Sequence, residues 1–464
     1  MNHTQPAASS AHSDTRMGTE PIPQLMLRLA LPSVAAQLIN VLYNIVDRMY
    51  IGHIPEIGST ALTGVGLTFP IIMLISAFSS FAGAGGAPLA AIQLGKGSRD
   101  QAEKILGNAV SVLLFFSVTL TVFFFFFKRP LLFLFGASNS TIVYADNYLS
   151  IYLIGTIFVQ TALGLNMFIS SQGQAKTAMM SVLIGAVTNI ILDPVFIFLL
   201  DMDVRGAALA TIISQAISAV WVVRFLLSKK SVIVIRKRCM KPDFSLIASI
   251  AALGVSPFIM QFTESAISIV LNHGLSTYGG DLYVGSMTIL QSVMQLVFVP
   301  IQGFTQGTQP IISYNFGAGN FDRVRKTYRI SITLSFSLTV VECLLTTQFP
   351  ALFARIFTNK AELIELVARV MPIFMAGVWI FGIQTGCQST FMGLGQAKIS
   401  LFIALLRKVV LLIPLAIILP MITNNVLSIY YSEPISDMIS ASVCGILFLR
   451  FRNKILSKES LDRL

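Results

Sequence analysis

Long apolar runs alternate with short polar breaks along almost the whole chain. The runs are continuous rather than apolar at every second residue, which favours membrane-spanning helices over the strands of an outer-membrane barrel. Twelve runs approach or exceed the roughly 20 residues that a helix needs to cross a bilayer. They lie at 25–50, 60–94, 105–127, 141–171, 177–200, 204–228, 244–277, 282–316, 327–355, 363–393, 398–420 and 424–450. The predicted fold class is an all-α membrane protein with twelve transmembrane helices.

Composition agrees with this pattern, because 55% of the 464 residues are hydrophobic and 11% are charged. An ordinary soluble domain has roughly 25% charged residues. The net charge of +11 does not indicate a nucleic-acid partner, since the cations concentrate in the breaks between runs. Cytoplasmic loops of membrane proteins carry such an excess of Lys and Arg. The bias predicts cytoplasmic termini, with tails at 1–24 and 451–464.

A repeat with an offset of 222 positions runs through the chain. The segment GAPLAAIQLGKGSRDQ begins at Gly86, and the related TQPIISYNFGAGNFDR begins at Thr308. The tetrapeptide GQAK begins at Gly173 and again at Gly395. Each copy holds six spans, so both copies enter the membrane with the same orientation, as in transporters built from parallel repeats. The sequence predicts an N-lobe at 25–228, a basic cytoplasmic linker at 229–243 and a C-lobe at 244–450.

Ionisable residues inside the spans are candidates for function, because each costs roughly 3 kcal/mol at mid-membrane. The candidates are Asp47, Asp193, Glu264, Glu342, Arg407, Glu433 and Asp437. Asn189 precedes Asp193 by one helical turn, and Pro194 leaves a backbone carbonyl without its donor. Carboxylate, amide and free carbonyl suit Na⁺ or an Asp that binds a proton. A polar kink packed between helices is the alternative.

The second lobe has a less sharply defined candidate site. Glu264 follows Pro257 by two helical turns, and Gln261 lies nearby. A cationic substrate, a second proton or a polar packing contact would each explain this glutamate. Met287 and Gln291 share a face of the eighth helix, where flexible Met side chains would suit substrates of varied shape. We predict that this face lines a binding cavity.

Enzyme signals do not occur in the sequence. The glycine-rich segments lack the GK[ST] ending of a phosphate-binding loop, and there is no HExxH pattern. The chain is therefore predicted to be neither an ATPase nor another enzyme, and to need no cofactor. Transport would draw on an ion gradient, which supplies about 2.3 kcal/mol per charge per 100 mV.

The motif LPSVAAQLINVLYNIVDRMYIG, the paired GxG loops, both GQAK loops and the duplication resemble the multidrug and toxic compound extrusion (MATE) family. The similarity is strongest to the branch with an acidic fifth helix. It implies a bacterial plasma-membrane antiporter, acting as a monomer, that exports cationic lipophilic drugs in exchange for H⁺ or Na⁺ and confers antibiotic resistance. The alternative is a lipid or lipid-linked oligosaccharide flippase of the same superfamily, for which more cavity cations are expected.

The resemblance also implies roles for single residues of the first lobe. Cation-site roles, including a possible Na⁺ site, fall on Asp47, Asn189, Asp193 and Thr211. Pro32 matches the proline at which the first helix is thought to bend.

Tyr148 and Asn166 match residues that line the first-lobe cavity, and Glu264 matches the acidic residue of the second lobe. Helix 10 lacks the acidic residue of some members. The residues 222 positions after Asn189 and Asp193 are leucines. Ion coupling is therefore predicted in the first lobe.

Overall fold

The computed structural model describes residues 16–462, so the outermost residues of both predicted tails lie outside the described part. By length and composition, it contains eleven helices able to cross a membrane and one bent pair that forms a twelfth span. These spans are α1 (Ile22–Gly52), α2 (Thr60–Gly95), α3 (Arg99–Leu134), α4 (Ile142–Ile154 with Thr156–Ser171), α5 (Ala175–Leu199), α6 (Asp203–Leu227), α7 (Phe244–Gly279), α8 (Leu282–Gly317), α9 (Phe321–Gln348), α10 (Ala361–Gly393), α11 (Ala397–Thr423) and α12 (Leu427–Arg452). The predicted all-α fold is confirmed over these residues.

Two spans differ from their predicted form. The run at 141–171 is two helices that meet at Gly155 with a bend of 59°. The run at 327–355 ends as a helix at Gln348, and a separate helix follows at Pro350–Phe357. Pro350 has no backbone N–H, so it is unfavourable inside a helix and favourable at the start of the next one.

The duplication is visible in the packing of the helices. A Cβ at Gly155 would overlap the side chain of Ile212 in α6, so the bend in α4 lets the two helices approach closely. The residues 222 positions later make the equivalent contact, where a Cβ at Gly377 would lie 2.7 Å from the Cα of Pro434 in α12. The second lobe thus repeats a packing detail of the first, as the sequence repeat predicts.

The two lobes meet where α2 crosses α8, and the crossing is reciprocal. A Cβ at Gly95 would overlap the carbonyl oxygen of Tyr314, and a Cβ at Gly317 would overlap that of Ile92. Gly317 and Tyr314 lie 222 positions after Gly95 and Ile92. Small residues let membrane helices approach through their backbones, so the glycines bring the lobes into direct contact here.

Large apolar side chains cover the outside of the helices. On α3, for example, Phe115 is 64% exposed, Val118 is 64% exposed and Phe126 is 76% exposed. Exposed apolar surface on this scale would cause a soluble protein to aggregate. It is the surface expected of a helix that faces lipid.

The linker packs against the first lobe. The buried carboxylate of Glu103 pairs with Arg236 of the linker at 2.6 Å. The side-chain oxygen of Gln172 accepts a hydrogen bond from the backbone N–H of Val232 at 2.7 Å. Because Gln172 and Glu103 belong to loops and helix ends of the first lobe, the linker is fixed to this lobe as well as joining the two.

Both ends of the described part of the chain lie on the side of the α2–α8 crossing and contact the opposite lobe. The Arg323 guanidinium donates to the carbonyl oxygens of Met17 at 3.1 Å and Glu20 at 2.8 Å. The Lys96 ammonium donates to the carbonyl oxygen of Leu461 at 2.9 Å. In this structure, the lobes are therefore closed together on the side that holds the described chain ends.

The crossing predicts a specific sensitivity to a single added methyl group. Gly95→Ala and Gly317→Ala should each destabilise the protein by about 1–3 kcal/mol, because a backbone carbonyl cannot move aside as a side chain can. Gly66→Ala is the matched control, since a Cβ there meets no atom within 4 Å. Apparent melting temperatures of the purified proteins should fall for the first two variants and not for the third. Equal temperatures for all three would contradict the proposed contact.

Candidate functional site

The acidic cluster of the first lobe joins residues from α1, α5 and α6. Asp193 is fully buried, and its Oδ1 accepts a hydrogen bond from the Asn189 amide at 3.2 Å. The same amide lies 3.5 Å from the Thr211 hydroxyl. Asp47 approaches from α1, and its carboxyl group lies within hydrogen-bonding range of that of Asp193. The structure thus brings together the four residues predicted to form the cation site.

Three oxygen atoms of this cluster are buried without a hydrogen-bond donor. They are Oδ1 of Asp47, Oδ1 of Asn189 and Oδ2 of Asp193. Buried oxygens normally find a donor, so three in one cluster require an explanation. When both acids are ionised, neither can donate to the other, and the two like charges repel. A proton or a small cation placed among these oxygens would satisfy them.

Two tyrosines enclose the acidic pair. Tyr148 is 4% exposed, and its hydroxyl is within hydrogen-bonding range of the Thr211 side chain. Tyr43 lies close enough to interact electrostatically with both Asp47 and Asp193. Tyr148 was predicted to line the first-lobe cavity, whereas the structure places it in the wall of the acidic cluster.

The two prolines of the prediction lie in continuous helices. α1 is one helix of 31 residues that contains Pro32. In α5, a π-helical segment, Val195–Leu199, follows Pro194 directly. Such segments are rare and occur often at functional sites. Asp193 therefore lies where the helix changes its hydrogen-bond pattern, and a bend at Pro32 stays a prediction.

Asn166 does not join the acidic cluster. Its amide donates to the carbonyl oxygen of Ala178 at 3.2 Å. Ala178 precedes Asp193 by fifteen residues, which is roughly 22 Å along a helix. Asn166 therefore lies near the side of the chain ends, a long way from the two acids.

The predicted cavity residues of the second lobe divide into two groups. Met287 is fully buried in the apolar core of the lobe in this structure, and its role as a cavity residue stays a prediction. The amide of Gln291 lies 3.4 Å from the Ser268 hydroxyl, and the amide of Gln261 donates to the Ser80 hydroxyl at 2.6 Å. Because Ser80 belongs to α2, Gln261 reaches across to the first lobe.

Glu264 forms an ion pair that the sequence analysis did not identify. Lys408, from α11, places its ammonium 2.6 Å from Oε2 of Glu264. The Lys408 side chain is 6% exposed, whereas that of Glu264 is 63% exposed. A lysine in the middle of an apolar helix costs about as much as the acids listed above, so its position within LFIALLRKVVLLIPL was the signal that could have found it.

Arg407, next to Lys408, forms a second buried ion-pair network. Its guanidinium contacts Asp437 at 2.6 Å and Glu433 at 3.0 Å, and it lies 4.3 Å from the centre of the Phe381 ring. Glu433 and Asp437 are one helical turn apart on α12, so they present both carboxylates to one cation. Their spacing opposite an intramembrane arginine was a usable signal of this pairing.

A model of the MatE family matches residues 32–195 and 257–418, which include most of both lobes. The multidrug export protein MepA of Staphylococcus haemolyticus is 25% identical over 440 residues, covering 94% of this chain and 95% of the relative. MepA of Staphylococcus aureus strain N315 is 24% identical over 456 residues, covering 95% and 97%.

Solved structures agree with this match in fold. An outward-facing multidrug resistance MATE family transporter is similar with a TM-score of 0.85 at 23% identity, covering 96% of this chain and 99% of that one. A MOP superfamily transporter from Pyrococcus furiosus has a TM-score of 0.88 at 22% identity, covering 98% and 99%. The family model spans well over half of the chain. The chain therefore belongs to the MatE family, the multidrug and toxic compound extrusion transporters that its motifs resemble.

Proposed function

We propose that this protein is a multidrug exporter that expels cationic lipophilic compounds in exchange for protons bound at Asp47 and Asp193. The observation that carries the proposal is the pair of facing carboxyl groups whose buried oxygens lack hydrogen-bond donors. The names of the staphylococcal relatives support drug export as the activity. The chain spans nearly the full length of these relatives.

The geometry favours a proton over Na⁺ as the coupling ion. Two facing carboxyl groups share one proton readily, because the protonated acid donates to the ionised one. Na⁺ would use the same oxygens, because carboxylate, amide and hydroxyl oxygens are the ligands that hard cations prefer. Sodium coupling is therefore the alternative, and the proteoliposome experiment below distinguishes it from proton coupling.

Helix α1 links the acidic pair to the contact between the lobes. Near Pro32, its residues Ala30 and Val34 pack directly on Gly307 and Gly303 of α8. Asp47, near the other end, faces Asp193. Proton binding at the pair would change the position of α1, and this change would reach the lobe contact through a single helix. Alternating access of this kind needs no further moving part.

The substrate space lies between the lobes, beyond the closed side. Two hydrogen bonds cross from lobe to lobe at its inner end: Gln37 donates to Gln306 at 2.9 Å, and Gln261 donates to Ser80. Export requires these polar contacts and the glycine crossing to separate, so that the space opens to the other side.

A flippase is expected to have more cationic residues in its cavity than a drug exporter has. Arg407 and Lys408 are the two buried cations of α11 in the second lobe, and each is paired with a carboxylate. A paired cation is a weak phosphate site, which favours drug export.

We further propose a bacterial plasma-membrane location with the closed side facing the cytoplasm. The basic loops lie on this side, as the excess of Lys and Arg in cytoplasmic loops requires. The substrate path runs between two lobes of one chain, so a monomer is sufficient for transport.

Asp193→Asn should abolish drug efflux while the protein is still made and inserted. The amide cannot ionise, so it cannot bind and release a proton with Asp47. Asp322→Asn is the control, because Asp322 is 97% exposed. Efflux of ethidium from cells that express each variant measures the effect. Near-normal efflux by Asp193→Asn would contradict the proposal that the acidic cluster couples drug efflux to proton binding.

Proteoliposomes should accumulate or expel ethidium when a proton gradient is imposed and should not respond to a sodium gradient alone. The Asp47→Asn variant should lose the response to the proton gradient, since one acid can no longer share its proton. A response to sodium in the absence of a proton gradient would identify Na⁺ as the coupling ion. That result would leave the proposed drug transport unchanged and would contradict the proposed proton coupling.

A further inference from the structure

Two open grooves lie at repeat-related positions, on the side that holds the described chain ends. One groove, of about 540 Å³, lies at the start of α9. The residues that line it are Asp322, Arg325, Lys326, Arg329 and Ile330. The other groove, of about 570 Å³, lies where α3, the linker and the start of α7 meet, and Lys104 is part of its wall. Lys326 follows Lys104 by 222 positions, so each lobe has a groove at the start of the equivalent helix.

The α9 groove, in the second lobe, has an excess of positive charge. Three cations line it together with one carboxylate, that of Asp322. This carboxylate pairs with Arg325 at 2.9 Å. Lys326 and Arg329 are exposed, and neither forms an ion pair with any residue in the described part of the chain. The groove therefore offers two cations to an anion from outside.

The groove of the first lobe has the same balance of charge, although other elements provide it. Its cations are Lys104 of α3 with Arg238 and Lys241 of the linker, and its carboxylate is Asp243. Arg238 lies 3.6 Å from Asp100, and Asp243 accepts hydrogen bonds from the backbone at the start of α7. Lys104 and Lys241 have no ion-pair partner among residues 16–462. Two cations are again available to an anion.

Both grooves adjoin apolar surface of the kind that faces lipid. On α9, Lys326 lies one helical turn before Ile330, which lies one turn before Leu334, and Val341 follows two turns later on the same side. Leu334 is 49% exposed and Val341 is 51% exposed. In the first-lobe groove, Phe244 forms part of the wall and is 83% exposed. An anion held in either groove can therefore carry apolar chains that lie against the helices.

The phosphate group of a phospholipid suits these cations. An arginine can donate two parallel hydrogen bonds to phosphate oxygens, and a lysine binds phosphate as a point charge. Basic pockets at the cytoplasmic ends of membrane helices bind the head groups of anionic lipids in this way. A head group that also carries an ammonium fits less well, because the second charge is repelled by the two cations.

We propose that each groove binds the phosphate of an anionic phospholipid, with Lys326 and Arg329 as the contacts in the second lobe and Lys104 and Lys241 in the first. The occupant is a lipid and not free phosphate, because the cations lie in line with apolar, lipid-facing side chains. The inference adds a lipid-binding activity to the proposed drug export and does not depend on the coupling ion.

The test uses two lipids that differ only in the head group. Phosphatidylglycerol is an anion, whereas phosphatidylcholine with the same acyl chains has no net charge. Each is titrated into the delipidated, full-length transporter in detergent, and native mass spectrometry counts the lipids that each protein molecule holds. The wild type should hold two molecules of phosphatidylglycerol with at least about tenfold higher affinity than phosphatidylcholine.

Neutralising one groove should remove one lipid. At a concentration of phosphatidylglycerol that fills both grooves of the wild type, Lys326→Gln combined with Arg329→Gln should hold one molecule fewer. Adding Lys104→Gln and Lys241→Gln should remove the second.

Lys176→Gln combined with Lys398→Gln is the matched control. These two lysines are exposed, lie on the same side of the protein, are 222 positions apart and line neither groove. The control removes as many positive charges as the α9 variant and should hold both lipids.

Three results would overturn the proposal. A wild type that holds phosphatidylcholine as tightly as phosphatidylglycerol has no anionic-lipid site, and this result does not depend on whether any variant folds. An equal loss of lipid from the control and from the α9 variant would show attraction to the overall positive charge and no specific site. Displacement of the lipid by inorganic phosphate, but not by chloride at the same ionic strength, would identify the grooves as sites for free phosphate.

Discussion

Charge pairing inside the membrane governs the arrangement of this molecule. An ionised side chain in a membrane-spanning helix loses its contacts with water, and other groups of the protein must replace them. In the second lobe, nearby cations and carboxylates replace them for one another, since Lys408 and Arg407 each lie within 3.0 Å of a carboxylate. In the first lobe, two aspartates meet without a cation among their hydrogen-bond partners. Most carboxylates in the spans of the second lobe therefore contact a cation, whereas the acidic pair of the first lobe needs a proton or a cation from outside.

This difference explains how two lobes of one scaffold can respond differently to an ion gradient. A pair of acids that lacks a counter-ion responds to an ion gradient, because binding the ion relieves a cost in the protein. In a cluster whose carboxylates contact cations, much of that cost is already offset within the protein. The asymmetry requires only a few substitutions, such as the glutamate that stands at the repeat position of Thr211.

Much of this could be predicted from the sequence, because the membrane limits the possible structures. A long apolar run has to be a helix, and the repeat offset relates the helices of the two lobes. Asn189 and Asp193 share a helix turn, so their contact followed from spacing alone. The approach of Asp47 from α1 followed from the family resemblance.

Contacts between distant helices were harder to predict. Lys408 meets Glu264 across 144 positions of sequence, and no local pattern shows which face of α11 meets α7. The burial of Met287 in the apolar core was hard to predict for the same reason, since a helical face that could line a cavity can equally pack in a core. The early end of α9 is a different case, because Pro350 was a local signal that the apolar run obscured.

The glycine crossing between α2 and α8 also bears on the origin of the chain. Gly95 meets the backbone at Tyr314, and Gly317 meets the backbone at Ile92, so each lobe offers the other the same patch. Such self-complementary contact is what a two-fold homodimer has. A six-helix ancestor could have associated with a second copy of itself at this patch before the genes fused. In that ancestor, every mutation at the patch changed both sides of the interface, whereas fusion allowed each side to evolve alone.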